Sequence, residues 1–445
     1  MSSKKIFIVL SLVIFTTCSS LLYYSMPDLD AHQEVDSEEY ELIAREYVRT
    51  GYLAHPAYGM PVHTAGYYWL MGLVYKFISS HQAWVFFVQW FLSLVCFWLI
   101  YKTALLLFGL PVALVALFFI SCNLGFMVFT QLILAEILLA VCLCGFLYAM
   151  ALFSQSDNAK DLIVAALLLA ASVMVKPVAL FYGLVLPFFV WGVAGRTFKN
   201  HARMVLISLL FFYLPLTGYM TYNYYMFGNF AVTTLHTGNL YDYFFPRRIM
   251  PRLHGGERVE VQKYLDGSVD QKDHERRSSR MFFDLLKKYP MMYAAAVIEG
   301  MIKIFFGLYS THLKVMFNRE LLGGSLSFFA VQGSSILQKL YNYTKFGTDN
   351  IVLQLISLFE MCWLFLLYFL LCYALVSLLY KRNYFLILFW GSYVGYITLA
   401  AAFDGCGRYR MMLEPILVIG AAYAVIELYT VVTGYFVTKK RVVHA

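Results

Sequence analysis

The chain has 445 residues, of which 61% are hydrophobic, 18% aromatic and 13% charged, with a formal net charge of +8. Soluble domains carry about 25% charged residues, and apolar runs long enough to cross a bilayer recur here, so composition excludes a soluble globular enzyme and implies a polytopic membrane protein. The basic surplus is gathered in a few loops, which points to membrane orientation and anionic head groups and not to nucleic acid.

The first element runs from Ile6 to Tyr24, follows Lys4 and Lys5, and has no clean small-x-small cleavage site after it. It reads as an uncleaved span with the two lysines in the cytoplasm. Next comes "HQEVDSEEYELIAREYVRTG" (32–51), with six acidic residues. Tyr40, Ile43, Ala44 and Tyr47 recur at helical spacing and Gly51 is a stop, so 37–50 is expected to be an amphipathic helix at the interface with Asp36 as its N-cap. Glu39 three residues on gives a capping-box-like start, and first-turn carboxylates suit the helix dipole. A carboxylate fixed by backbone donors is also a well-oriented base, so capping and catalysis both stay open for Asp36.

Further spans are expected at roughly 84–101, 110–128, 131–153, 161–175, 178–194, 204–221, 351–380, 384–402 and 411–430. The apolar piece 290–308 is either interfacial or paired with a second crossing near 321–337, so the fold class is an all-α polytopic membrane protein of about 10–12 transmembrane helices. Alternation from a cytoplasmic N-terminus puts Lys102, Lys160, Arg196, Lys199, Arg203, Lys381, Arg382 and the tail Lys439, Lys440 and Arg441 inside, as the positive-inside bias asks. The C-terminus is then cytoplasmic too. The segment 246–288 is basic yet falls outside, which long loops tolerate. Seven of the eight cysteines lie in apolar stretches and read as small core residues, not as a disulfide framework. No repeat and no hydrophilic region of catalytic-domain size is present. The chain is therefore read as one transmembrane domain, 1–445, whose polar chemistry lies in a first extracytoplasmic loop (25–83) and a large one (222–350).

Several stretches together resemble the GT-C glycosyltransferases of the aminoarabinose-transferase and protein O-mannosyltransferase type. "DSEEYELIAREYVRTG…PVHTAGYYWLMGL" is similar to their first outer loop, with Asp36, Tyr40 and the His63 to Trp69 segment at the matching places. Glu136 in "QLILAEILLAVCLCGF", Lys176-Pro177 in "SVMVKPVAL", "YNYYMFGNFAVTTLHTGNLYDY" (222–243) and "GRYRMMLEPILV" follow in the family's order. The resemblance implies a sugar transferase that uses a polyprenyl-phosphate-linked donor on the outer face of the membrane. It implies as acceptor an envelope lipid such as lipid A, a glycan or a protein, and as location a bacterial inner membrane with the site facing the periplasm. A lipid donor presents its anomeric carbon at the interface, where Asp36 can act as general base on the acceptor.

Leaving phosphate needs fixed cations or a metal. Lys176, Arg408 and Arg410 fall on the outer face and are the candidate phosphate ligands, with His63, where the aminoarabinose type has Lys, and Tyr40 beside them. For Lys176 the competing reading is snorkelling to head groups, and for the two arginines a solvated turn. Glu136, Tyr67, Tyr68 and His236 are candidate cavity residues; a hydrated helix end, an aromatic belt and surface hydrogen bonding are their plainer alternatives. Asp28-Leu29-Asp30 spells a DxD, a short match that leaves a divalent metal open and no cofactor certain. The basic run Arg247 to Arg280 is read as holding phospholipid head groups in preference to recruiting an anionic acceptor. A lipid-linked saccharide flippase is the alternative function, although transporters usually show repeats that this chain lacks.

Overall fold

The computed structural model describes residues 3–26, 32–34, 36–55, 59, 63–192, 197–233, 238–268, 271–318 and 331–443. Asp28, Asp30 and His236, and most of the 321–337 stretch, lie outside them. Among the described residues the secondary structure is helical apart from one isolated bridge between His55 and Gly59. The helices are α1 (Ser3–Ser25), α2 (Ser37–Thr50), α3 (Ala65–Phe77), α4 (Ala83–Phe108), α5 (Leu110–Ser121), α6 (Leu124–Thr130), α7 (Glu136–Ser156), α8 (Ala159–Val175), α9 (Leu186–Trp191) and α10 (Phe198–Phe227). After the large loop's first part come α11 (Gly255–Asp266), α12 (Gln271–Lys288), α13 (Pro290–Phe306), α14 (Ser310–Phe317), α15 (Ile336–Lys345), α16 (Ile351–Tyr380), α17 (Tyr384–Ala401) and α18 (Glu414–Val443).

Among the described residues seven helices are long and apolar enough to cross a membrane, or up to nine if each of two bent pairs counts as one span. This is an integral membrane protein, and α7 is its central span, with 72% of its apolar window buried against 17% for α1 and α10. The expected span 110–128 is broken by 51° between α5 and α6. Asn123 causes the break: its side chain accepts a hydrogen bond from the Phe126 amide and starts a new helix. The expected span 131–153 begins instead at Glu136, because 131–135 form a buried turn. After α8, Pro177 and Pro187 divide the next apolar run into a 3-10 helix (Pro177–Leu184) and α9.

The buried turn 131–135 positions the outer surface. A helix would consume its carbonyls; a turn leaves them to be satisfied by other groups. The Gln89 amide of α4 donates to the Thr130 and Leu132 carbonyls at 3.1 and 2.9 Å, and Tyr67 donates to the Gln89 Oε1 at 2.6 Å. His32 Nδ1 donates to the Gln131 carbonyl at 2.7 Å, and Ser37 Oγ donates to the Ile133 carbonyl at 2.9 Å. The stretch around Asp36 is thus tied to the inner bundle on both sides.

A second, smaller core sits on the large loop, where Phe244, Phe245, Ile249, Phe282, Leu285 and Tyr293 pack together. Within it α12 meets α13, which contributes Tyr293, at 105°. A Cβ on Gly300 of α13 would lie 1.9 Å from the Ala402 carbonyl oxygen, and one on Gly307 would lie 2.7 Å from the Gly407 Cα. Two glycines therefore let α13 press directly on the loop between α17 and α18.

Candidate active site

Asp36 occupies the N-cap position of α2, but its side chain makes no capping bond. The capping expectation is corrected: Asp36 Oδ2 accepts from Arg408 Nη1 at 2.8 Å, across 372 residues of sequence. Glu39 does not close a capping box either, because its Oε1 accepts from the Tyr68 hydroxyl at 2.9 Å and its Oε2 lies 3.6 Å from His63 Nε2. Capping is local chemistry, and here the Arg408 guanidinium and the polar groups of Tyr68 and His63 offer the carboxylates more.

Arg408 is the hub. Its Nη2 lies 3.8 Å from Asp404 Oδ2 and its Nε 3.8 Å from Glu136 Oε1. Lys176 Nζ donates to that same Glu136 oxygen at 2.5 Å. Lys176 is extended (φ −147°, ψ 135°), since a residue preceding proline is pushed out of the helical region, and this points it away from the axis of α8. Two cations and three carboxylates thus gather where α2, the start of α7, the end of α8 and the 402–412 loop meet. Asp36 and Arg408 each keep 19% of their side chains exposed, whereas Glu136 keeps 4%.

Three buried polar atoms in this cluster have no hydrogen-bond partner: the Tyr40 hydroxyl, Glu136 Oε2 and Arg408 Nε. Buried polar groups are nearly always paired, so three orphans in one cluster make it a candidate place for a polar ligand. Tyr40 lies under His63, with ring centroids 4.8 Å apart and planes at 27°.

The electrostatics follow from the pairing. Burial would raise the Asp36 pKa, but Arg408, His63 and Lys176 outweigh it and hold the carboxyl well below the usual carboxylate range. Burial pushes the His63 pKa below its ordinary value despite Asp36 and Glu39, so its imidazole is neutral at pH 7. Burial also keeps the Tyr40 and Tyr68 phenols protonated. Among the described residues no group of three or more His, Cys, Asp or Glu is placed to hold a metal ion.

The model of the family described as dolichyl-phosphate-mannose-protein mannosyltransferase matches residues 62–218. No curated protein matches the chain. Among solved structures, the oligosaccharyltransferase AglB of Archaeoglobus fulgidus, in complex with an inhibitory peptide and a dolichol-phosphate, superposes with a TM-score of 0.55 over 99% of this chain at 11% identity. The chain has the GT-C fold. It spans 52% of the AglB chain's length. A second structure of the Archaeoglobus fulgidus enzyme, tethered to an acceptor peptide, gives a TM-score of 0.54 at 12% identity, covering 97% of this chain and 50% of that one. ArnT from Cupriavidus metallidurans covers 93% of this chain and 77% of its own at 12% identity, with a TM-score of 0.35.

Within this GT-C fold, Asp36, Tyr40, His63, Glu136, Lys176 and Arg408 are brought together. Tyr67 and Tyr68 stand one step behind, bound to Gln89 and Glu39. Arg410 is placed elsewhere. It is 1% exposed, and its guanidinium is spent on Glu360, Glu414 and the Phe305 and Gly307 carbonyls, so it offers nothing to a phosphate at Arg408. Sequence reasoning missed Glu34 and His312. The Glu34 Oε1 lies 2.9 Å from His312 Nδ1 of α14, and the charge of Glu34 also reaches Arg408 and Asp36. Burial would lower the His312 pKa, but Glu34 and Cys406 push it up to about 10, so the pair is ionic at neutral pH. Glu34 stood in the acidic run as one carboxylate among six, and nothing near His312 in sequence announces a partner 278 positions away.

Proposed function

We propose that the protein is an inverting glycosyltransferase that moves a sugar from a polyprenyl-phosphate donor to an envelope acceptor at the outer membrane interface. The observation that carries the reading is the Asp36–Arg408 pair backed by Lys176, with three unpartnered polar atoms converging beside it. AglB was solved with a dolichol-phosphate, which supports a lipid-linked donor for a chain of the same fold. The setting is a bacterial inner membrane, with both termini in the cytoplasm and the site facing the periplasm.

The acceptor oxygen attacks the anomeric carbon, the bond from that carbon to the phosphate oxygen breaks, and the acceptor proton goes to Asp36. Polyprenyl phosphate leaves with one more negative charge than the donor phosphodiester had, and Arg408 and Lys176 meet it. A carboxylate pinned by a guanidinium is a weak base, because efficient proton transfer wants a pKa nearer the operating pH. Donor phosphate competes for Arg408, so binding it loosens the grip on Asp36 and raises its basicity when an acceptor can be used. The Tyr40 hydroxyl is left to hold a donor phosphate or sugar oxygen, and Glu136 Oε2 to accept from a sugar hydroxyl. His63, neutral, serves as a stacking and hydrogen-bonding wall and not as a phosphate cation.

The test is transfer from a polyprenyl-phosphate sugar by the purified protein, wild type against Asp36→Asn. Product from wild type with none from the folded variant supports the reading. Movement of donor between leaflets without product would favour a flippase, and full turnover by Asp36→Asn would remove the base from this residue.

A further inference from the structure

Beside the site lies a second charged cluster that the transfer reaction does not use. Arg248 Nη1 binds Glu299 Oε1 at 3.2 Å, Arg252 Nη2 binds the other oxygen of the same carboxylate, and Lys303, one turn on, binds it as well. Setting Lys303 aside, two guanidiniums against a single carboxylate leave the patch net positive. The cluster is partly open to the surroundings: the Arg252 and Glu299 side chains are 32% and 38% exposed, Arg248 and Lys303 16% and 17%.

What lies next to these charges identifies what they meet. Met291, Ile298, Ile302 and Phe306 of α13 are 79%, 55%, 44% and 41% exposed. Their spacing of seven, four and four places them on one face of the helix, and Glu299 and Lys303 fall on the flank of that face. The opposite face, with Tyr293, Ala296, Gly300 and Ile304, is buried. A continuous exposed apolar stripe on a membrane protein is a lipid-facing surface. At its start α13 turns by 105° from α12, whose Arg276 and Arg280 side chains are 80% and 76% exposed. Cations at the edge of an apolar stripe, with a basic helix alongside, match a lipid that has a negative head and apolar tails.

We propose that Arg248 and Arg252 form a binding site for an anionic phospholipid of the bilayer, its phosphodiester on the two guanidiniums and its acyl chains along the Met291 to Phe306 stripe. The inference stands apart from the transferase reading, since it needs only a membrane protein with this surface. Its consequence reaches the site. Arg248 Nη2 donates to the Asp404 carbonyl at 3.2 Å, and α13 presses through Gly300 and Gly307 on the loop that carries Arg408. A lipid seated on this patch holds Arg248 and α13 in place and so steadies the loop that presents Arg408 to Asp36.

The full-length protein is reconstituted in nanodiscs of phosphatidylcholine with a graded share of phosphatidylglycerol, and lipids retained after release are identified by native mass spectrometry, alongside the melting temperature. Wild type is expected to retain phosphatidylglycerol over phosphatidylcholine. Arg252→Gln, which leaves the Arg248 contact to Asp404 intact, is expected to lower that preference about fivefold, as loss of one surface cation implies. Arg280→Gln, on the exposed side of α12 alongside the patch, is expected to lower it by less than Arg252→Gln does. The rise in melting temperature with phosphatidylglycerol is expected in wild type and lost in Arg252→Gln. Equal retention of the two lipids by wild type, or unchanged preference in Arg252→Gln, overturns the proposal. Displacement of phosphatidylglycerol by added polyprenyl phosphate overturns it too, by giving the patch to the donor.

Discussion

Arg408 and Arg410 stand two residues apart in one short turn, yet they serve opposite ends. Arg410 is sunk between α16 and α18, where Glu360 and Glu414 flank it and two main-chain carbonyls take the rest of its guanidinium. Glu360 in turn accepts from the Tyr309 and Ser310 amides at 2.6 and 2.8 Å, which satisfies the start of α14. That cluster satisfies every nitrogen of the Arg410 guanidinium, leaves one buried carboxylate oxygen, Glu414 Oε2, without a partner, and holds a helix in place. Arg408 faces three carboxylates, keeps an unpartnered Nε and, like its partner Asp36, leaves 19% of its side chain exposed. A guanidinium whose every nitrogen is bonded inside the fold serves packing, whereas one left short of partners and partly exposed is the better candidate to meet a ligand.

The sharpest way to break the contrast is to disable each side. Asp36→Asn is expected to lower the transfer rate by about 100- to 10,000-fold and to lower the melting temperature by less than Arg410→Gln does, measured on the same preparation. Arg410→Gln is expected to do the reverse in kind, destabilising by about 3–5 kcal/mol because it strands buried carboxylates, and to lose activity only as folded protein is lost. Equal effects of the two on stability would erase the distinction.

Gly300→Ala probes the link between the regions. A methyl group there cannot fit against the Ala402 carbonyl, so the loop must move at a cost of about 1–3 kcal/mol, and donor KM is expected to rise because Arg408 rides on that loop. The pH dependence sharpens the picture further. The folded pKa of His312 is raised from 6.5 to about 10, so its contribution to stability is complete below about pH 6.5 and is lost as pH climbs to about 10. His312→Gln is expected to flatten that alkaline limb of the melting curve. The depressed Asp36 acts in the opposite sense, with stability present above the ordinary carboxylate range and lost on strong acidification. The smallest effect is expected from Tyr40→Phe. Removing a buried hydroxyl that has no partner costs the empty protein nothing, while turnover falls about five- to tenfold if that hydroxyl meets the donor.

Much of the candidate cluster was readable because it depends on residue types at fixed places in an apolar chain: an aspartate just before a short amphipathic helix, a glutamate at the mouth of a span, a lysine held extended by the proline after it. The division of labour between the two arginines was not readable, since "GRYR" offers the same group twice and burial alone separates them. Asn123 and the buried turn at 131–135 escaped notice for a related reason: apolar periodicity measures how greasy a stretch is, and a turn lined by Leu132, Ile133 and Leu134 is as greasy as a helix.

By itself the sequence determined the solvent and the all-helical class, and it named most of the residues that the fold gathers around Arg408, because a bilayer enforces the first two through composition and local pattern. Only the tertiary structure decided which charges meet. Asp36 with Arg408, Glu136 with Lys176 and Glu34 with His312 are joined across 372, 40 and 278 residues. Such pairs form because unpaired charge is costly in a low-dielectric interior, a condition that exists only after the helices have packed.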